Sequence, residues 1–381
     1  MIALIITIIV MLILVGVTVT AAINGGLLEK AKEGAEGTKV ERDKEILASS
    51  GEVQIDGITY ASMDDYMNNN PKLQLPSNAR KLSEEEAKAD EAVTKNWDLS
   101  KVTAVEISEG EDETTKNIIP LPKGFQISSE EGENTVTGGL VIKEGANEFV
   151  WIPCTDTYTE DNIGPLTSVD NGSKAIYDSQ EQLDYYYGKN YYNYEKDFNY
   201  VQDKTNIETS INKYKGFYVG RYETTIDNGT IGSKKGTKVL TADTKLPNDE
   251  YYKWYGLYKA QKDVYAENNN VFSTMITSKE WSKIMDFTGY GNTKRLTDTY
   301  TTKPDLSGSA YKGTTTYDKS KNIYDLAGNV WEWTITLIGN LTRAGRGGNF
   351  YESLSASNTD DYRNLTDSFD HAGSRMALYI R

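Results

Sequence analysis

From Met1 to Ile23 the chain carries no charged side chain and is almost continuously apolar. At about 1.5 Å per residue, a helix of that length spans the roughly 30 Å hydrocarbon core of a bilayer. The apolar run does not stop in a loop. It passes through Asn24, Gly25 and Gly26 into a charged stretch in which Leu27, Leu28, Ala31 and Ala35 form a narrow apolar stripe. The pattern predicts a helix within residues 1–50, apolar in its first half and amphipathic in its second. No Lys or Arg precedes the run, and it exceeds the apolar length of a secretory signal. It is therefore read as a membrane anchor rather than a cleaved leader. Lys30 and Lys32 are matched by Glu29 and Glu33, so flanking charge gives no orientation.

Beyond residue 50 the texture is polar. Residues 51–118 read as an acidic spacer. Within it, a short hairpin is predicted around Asp56 and Gly57. A helix is predicted from Ser83 to Val93, with Ser83 as N-cap and Glu86 at the capping-box position. The charged stretch 106–117 reads as loop. From Ile119 onward short apolar runs predict strands: GGLVIK (138–143), EFVWIP (148–153), GFYVGRYETT (216–225) and RMALYIR (375–381). A long Tyr- and Asn-rich insertion, including residues 184–200, separates the second from the third. Helices are predicted over 249–268 and after the capping box Thr277 to Glu280, which opens onto Trp281, Ile284, Met285 and Phe287. The expected organisation is an N-terminal helix (1–50), a spacer (51–118) and one α+β domain (119–381).

Charge and composition narrow the function. The formal net charge of −15 over 381 residues argues against nucleic-acid binding, which needs Lys and Arg to displace counterions. It suits a surface protein that must stay soluble. A single cysteine, Cys154, excludes an internal disulfide, and a single histidine, His371, nearly excludes multi-histidine metal catalysis. Cys154 sits beside Trp151 and Ile152 and reads as a buried structural thiol. His371 has Asp367, Asp370 and Ser374 as neighbours, but a Ser/His/Asp centre needs more than proximity in sequence.

The most informative local motif is NIYDLAGNVWEWT, Asn322 to Thr334. Its bulky apolar residues alternate with Asp325, Asn329 and Glu332, and Gly328 permits a tight turn. Two carboxylates across a turn, with carbonyls between them, are the oxygen ligands that Ca²⁺ takes. The bland reading is a hydrophobic turn whose acids cap backbone amides.

Two resemblances follow from these motifs. The apolar run continuing into NGGLLEKAKE is similar to the N-terminal helix of type IV pilin-like proteins of Gram-positive bacteria. That implies a membrane-held subunit able to pack against other pilin subunits. The ordered series GFYVGRYETT, ITSKEW, YDLAGNVWEW, RGGNFY and GSRMALYIR resembles the formylglycine-generating-enzyme/sulfatase-modifying-factor domain, a variant of the C-type lectin fold, over residues 119–381. That resemblance implies a structural calcium ion held by the side chains of Asp325 and Glu332 and the carbonyls of Gly328 and Val330. It also implies that catalysis is lost. The oxidising members bind copper through a C-terminal cysteine pair, and thiolates are the soft ligands Cu(I) requires. The corresponding stretch here has no cysteine.

The expected function is therefore a non-enzymatic cell-surface adhesin or receptor for an extracellular protein or glycan. The rivals are a retained oxygenase-type activity and a filament subunit with a purely structural ectodomain. The expected ligand face comprises Arg346, Asn349, Tyr351, Asn358, Asp360, Asp361, Tyr362, Asn364, Asp367 and His371, a polar mixture with tyrosine of the kind binding loops favour. In some members of the resembled family the matching segment is diversified by retroelements.

Overall fold

The computed structural model describes residues 53–55, 58–60, 73, 75–90, 92–110, 114–160, 163, 199–245, 252–289, 319–326, 329–338, 342–348, 359–363 and 370–381. The expected helix within 1–50 lies outside them. Among the described residues no helix is long and apolar enough to cross a membrane. The chain divides into two compact units, Met1–Gln74 and Leu75–Arg381. In the first, β1 (Val53–Ile55) and β2 (Ile58–Tyr60) pair antiparallel on either side of Asp56 and Gly57, as the pattern predicts.

The second unit opens with β3 (Ala79–Lys81), α1 (Glu84–Ala89), β4 (Val102–Glu109) and β5 (Thr115–Pro122). The capping box of α1 is reciprocal: Glu86 N–H donates to Ser83 Oγ (3.1 Å) and Ser83 N–H donates to the Glu86 carboxylate (2.8 Å). The helix ends before Val93 because extended Asp90 turns its carboxylate onto the Ala92 and Val93 amides, both at 3.0 Å. The strands form an antiparallel sheet in the order β3–β4–β5. This corrects the loop expected over 106–117 at 106–109 and 115–117, which are strand; residues 111–113 lie outside the described residues. Charge does not break the strands because partners lie across them: Glu106 accepts from Arg80 (2.9 Å) and Lys116 (3.1 Å), and Glu109 accepts from the Thr137 hydroxyl (2.6 Å). The domain boundary expected at 118/119 falls inside β5, and residues from Leu75 onward belong to one unit.

The main sheet follows. Its first strands are β6 (Gln126–Ile127), β7 (Val141–Glu144), β8 (Asn147–Pro153) and β9 (Gly216–Gly220). Before β9 lies α2 (Tyr200–Tyr214). Then come a small sheet of β10 (Thr225–Asp227), β11 (Thr230–Gly232) and β12 (Lys238–Val239), helix α3 (Lys253–Val264), β13 (Val271–Met275) and α4 (Ser278–Thr288). The chain continues through β14 (Lys319–Ser320), β15 (Ile323–Tyr324), β16 (Trp331–Ile338), β17 (Thr342–Arg346), β18 (Thr359–Arg363), β19 (Ala372–Ser374) and β20 (Met376–Ile380).

The main sheet has the order β13–β20–β9–β8–β7–β6 and is antiparallel throughout. A second sheet, β18–β17–β16–β19, carries the motif region and contains one parallel pair, β16 with β19. The expected α+β class holds for the described residues. Both helices predicted between 249 and 288 form, and Thr277 and Glu280 make the expected box. Helix α2 was not predicted, although Asn199 caps it and Tyr200, Ile207, Ile211 and Tyr214 line its buried face.

One core cluster joins these layers. It includes Trp254 of α3, Trp281 of α4, Trp333 of β16, Ile207 and Ile211 of α2, and Phe217 and Tyr379 of the main sheet. The passage from α2 to β9 demands glycine at 216. A Cβ there would lie 2.4 Å from the Ile152 carbonyl oxygen and 2.5 Å from the Trp151 ring.

Candidate functional site

Between Lys321 and Trp331 four of the described residues take left-handed backbone. Asn322 (φ 64°), Asp325 (φ 58°) and Asn329 (φ 61°) use the region that Asn and Asp tolerate best, and Lys321 (φ 44°) joins them. The Asn322 amide nitrogen faces three carbonyl oxygens, of Gly132 (2.7 Å), Gly138 (3.3 Å) and Gly139 (2.7 Å). Gly139 itself has φ +93°, and a Cβ on it would come within 1.9 Å of the Lys321 carbonyl oxygen. The turn is thus docked tightly on the 132–139 loop. On its other side Asn329 donates to the fully buried Glu223 carboxylate (2.7 Å).

Glu332 lies at the base of this turn, on β16, with no side-chain exposure. Arg375, equally buried, grips both of its oxygens: Nε donates to one at 3.0 Å and Nη2 to the other at 2.5 Å. The same guanidinium donates to the carbonyls of Gly220 (2.9 Å) and Tyr324 (2.8 Å). One side chain therefore ties β16, the main-sheet strand β9 and the turn together. This is the bidentate fork that arginine provides and lysine does not.

That geometry tests the expected calcium ligands. Glu332 does not fit the role, because both oxygens are committed to a guanidinium whose positive charge would repel a divalent cation in the same buried space. Gly328 lies outside the described residues. Within the turn, Asp325 is half-buried and Val330 is buried. Among the described residues no group of three or more His, Cys, Asp or Glu side chains is placed to hold a metal.

The expected ligand face divides. Arg346 was expected to meet ligand; instead it is buried, donating to the Ser278 carbonyl (3.3 Å) and the Ser282 hydroxyl (2.9 Å), and so fastens β17 to α4. Asp360, Asp361 and Tyr362 lie on β18, the outer strand of the second sheet, with Asp361 opposite Gly345 and Tyr362 opposite Ala344. His371 is half-buried at the start of β19, its Nδ1 2.9 Å from the Asp370 carboxylate. Ser374 is wholly buried and its Oγ accepts from the Gln261 amide. Asn349, Tyr351, Asn358, Asn364 and Asp367 lie outside the described residues. Cys154 is buried, and burial pushes its thiol pKa up, which suits a structural role rather than a nucleophile.

Two further arginines shape this region and went unread in the sequence. Arg343 of β17 has no exposure. Its guanidinium lies 4.1 Å from the centre of the Trp254 ring and 4.8 Å from that of Tyr200, and Nη1 donates to the Ile335 carbonyl (2.6 Å). Arg221, beside the turn, pairs with Glu133 and with Glu148 (2.7 Å) and stands 5.5 Å from the Tyr324 ring centre. For Arg221 the available signal was its place against apolar strand residues in GFYVGRYE, as for Arg375 in GSRMALYI; Arg343, in LTRAGR, carried no such signal. A cavity of about 200 Å³ opens between α2 and the ends of β13 and β20, lined in part by Lys213, Tyr214, Phe272 and Arg381. None of its lining residues belongs to the expected face.

Neither protein-family models nor curated proteins match this sequence. Among solved structures, one titled "Crystal Structure of CarF" is similar at 14% identity and a TM-score of 0.29, covering 44% of this chain and 88% of that chain. A likeness of that size carries no functional argument.

Proposed function

We propose that residues 75–381 form a non-catalytic ligand-presenting domain of the sulfatase-modifying-factor type, held at a bacterial cell surface by the N-terminal apolar helix. The observation that carries this reading is the contrast across the second sheet. Its inner strands are locked by buried arginines, Arg375 on Glu332 and Arg346 on α4. Its outer strand, β18, carries the sequence Thr-Asp-Asp-Tyr-Arg. A rigid base under a polar, tyrosine-bearing edge is how binding surfaces hold their geometry while their contacts vary. The ordered motif series from Gly216 to Arg381 supports the family assignment. The missing C-terminal cysteine pair supports the loss of copper chemistry.

The full chain in detergent or nanodiscs, screened on glycan and protein arrays, tests the reading. Binding should occur and should fall at least tenfold, or about 1.4 kcal/mol, when Asp361 and Tyr362 are both changed to Ala. Binding that survives that change, or copper-dependent turnover of a Cys-containing peptide, would overturn it. A second reading, a filament subunit, is favoured by the apolar run continuing into the amphipathic stretch Leu27 to Ala35. Filaments seen by electron microscopy, without any ligand on the arrays, would select it.

A further inference from the structure

Helix α2 turns four residues toward the open edge of the main sheet: Asn206, Thr209, Ser210 and Lys213, which share one face at helical spacing. Opposite them stand Phe272 of β13, the outer strand of that sheet, and Ile380 of β20 with Arg381 after it. The cavity of about 200 Å³ lies between these two walls.

One wall is apolar and fixed. Phe272 stacks on Tyr379, with ring centres 4.9 Å apart and planes 20° from parallel, and the Arg381 guanidinium stands 5.6 Å from its centre. That guanidinium is pinned by the carbonyls of Asn268 (2.8 Å), Val271 (2.9 Å) and Ala266 (3.2 Å). It adds positive potential at the rim without swinging.

The helix wall supplies donors. Asn206 spends its amide oxygen on Gln202 (2.7 Å), which leaves its amide nitrogen to donate. Ser210 Oγ accepts from Ile380 N–H (3.0 Å) and so presents its proton, and exposed Thr209 adds a second hydroxyl. The Lys213 ammonium is half-buried, 5.0 Å from the Tyr214 ring centre. Two acceptors near it are already engaged. The Asp98 carboxylate takes the Ser100 hydroxyl (2.6 Å) and N–H (3.0 Å), and the Arg381 main-chain oxygen takes the Tyr214 hydroxyl (3.4 Å).

We propose that this cavity binds a small organic carboxylate with a compact apolar body, its carboxylate at Lys213 and Asn206 and its body against Phe272 and Ile380. A carboxylate is acceptor-only and supplies what these donors lack, and hydrogen bonds between ionised partners are the stronger ones. Apolar walls with a few convergent polar groups are the usual lining of a small-molecule site. A dry cavity of about 150 Å³ takes one benzene, so this one admits a single ring and its carboxyl group. The chain as a whole carries −15 and repels anions, so preference for an acid has to come from this local set. None of these groups lies on β18, and the two readings stand or fall separately.

Ligand-observed NMR titration of the full chain in nanodiscs, with empty nanodiscs as the blank, tests this. Phenylacetate is the probe and phenylacetamide its uncharged match. Phenylacetate should bind with a Kd of about 1 mM or tighter, and the amide at least about tenfold more weakly. In K213M the acid should fall to the level of the amide while the amide is unchanged. Thr209 is exposed, so T209W obstructs the mouth without burdening the core, and it should weaken the acid at least about tenfold. Melting curves confirm that both variants are folded. No binding of phenylacetate at about 10 mM would overturn the proposal. So would equal affinity for acid and amide, or phenylacetate binding that survives in folded K213M or T209W.

Discussion

Neutralising Glu332 by Glu332→Gln is the sharpest perturbation available. It keeps shape and volume but removes the charge that Arg375 faces through two donors, at 3.0 and 2.5 Å, with neither side chain exposed. The guanidinium would retain the Gly220 and Tyr324 carbonyls, at 2.9 and 2.8 Å, but no carboxylate on its fork. Leaving one partner of a buried pair uncompensated costs about 3–5 kcal/mol. At roughly 2 °C per kcal/mol for a domain of this size, the melting temperature should fall by about 6–10 °C. Urea unfolding followed by tryptophan fluorescence gives the free energy, with an unchanged m-value as the check on two-state behaviour. The exposed partner of Lys143, Glu130, supplies the control, and Glu130→Gln should cost less than about 1 kcal/mol. Replacing both members, Glu332→Leu with Arg375→Met, should recover only part of the loss, since it removes the unpaired buried charge but takes the donors from the Gly220 and Tyr324 carbonyls. If Glu332→Gln costs no more than Glu130→Gln, the pair is not dry and the account of the turn fails.

Three further outcomes are expected. A chelator should leave the melting temperature within about 1 °C, because Glu332 serves Arg375 rather than a metal; a clear fall reversed by calcium would restore the calcium reading. Gly216→Ala should cost about 2 kcal/mol or more, through the Cβ contacts with the Ile152 carbonyl and Trp151, read by the shift in urea midpoint. Stability should also fall between about pH 5 and pH 8 through Glu280. Its carboxyl is raised in the folded protein to about 8 from 4.5, so the folded state binds the extra proton. That contribution is complete below the unfolded value and is lost as pH climbs through the folded one. Urea midpoints at pH 5, 6.5 and 8 should therefore converge in Glu280→Gln; an identical slope in both proteins would refute the assignment.

What was legible in the sequence was local. Ser83 with Glu86, and Thr277 with Glu280, announce their helices because each capping box closes within one turn. The runs that became β8, β9 and β20 are apolar enough to read as strands without any knowledge of their neighbours. What failed was non-local. Strands β4 and β5 were hidden because Glu106 finds Arg80 and Lys116 only after the sheet has formed. Helix α2 was masked by its mixture of Tyr, Asn and Thr, which dilutes the apolar stripe. At the turn, Asp325 and Glu332 were paired in expectation because they are close along the chain. Arg375, the partner that takes Glu332, comes from 43 positions further on. Arg346 looked like a binding residue for the same reason: its charge was visible and its burial against α4 was not.

Strand β20 follows β13 and β9 in the sequence, yet it sits between them. During synthesis the ribosome therefore delivers this keystone after all the pieces it must join. The main sheet cannot close until β20 has been made. Without β20, β13 would lose its sheet partner and the remaining β9–β8–β7–β6 would show a bare rim, a product fit for proteolysis rather than a working protein.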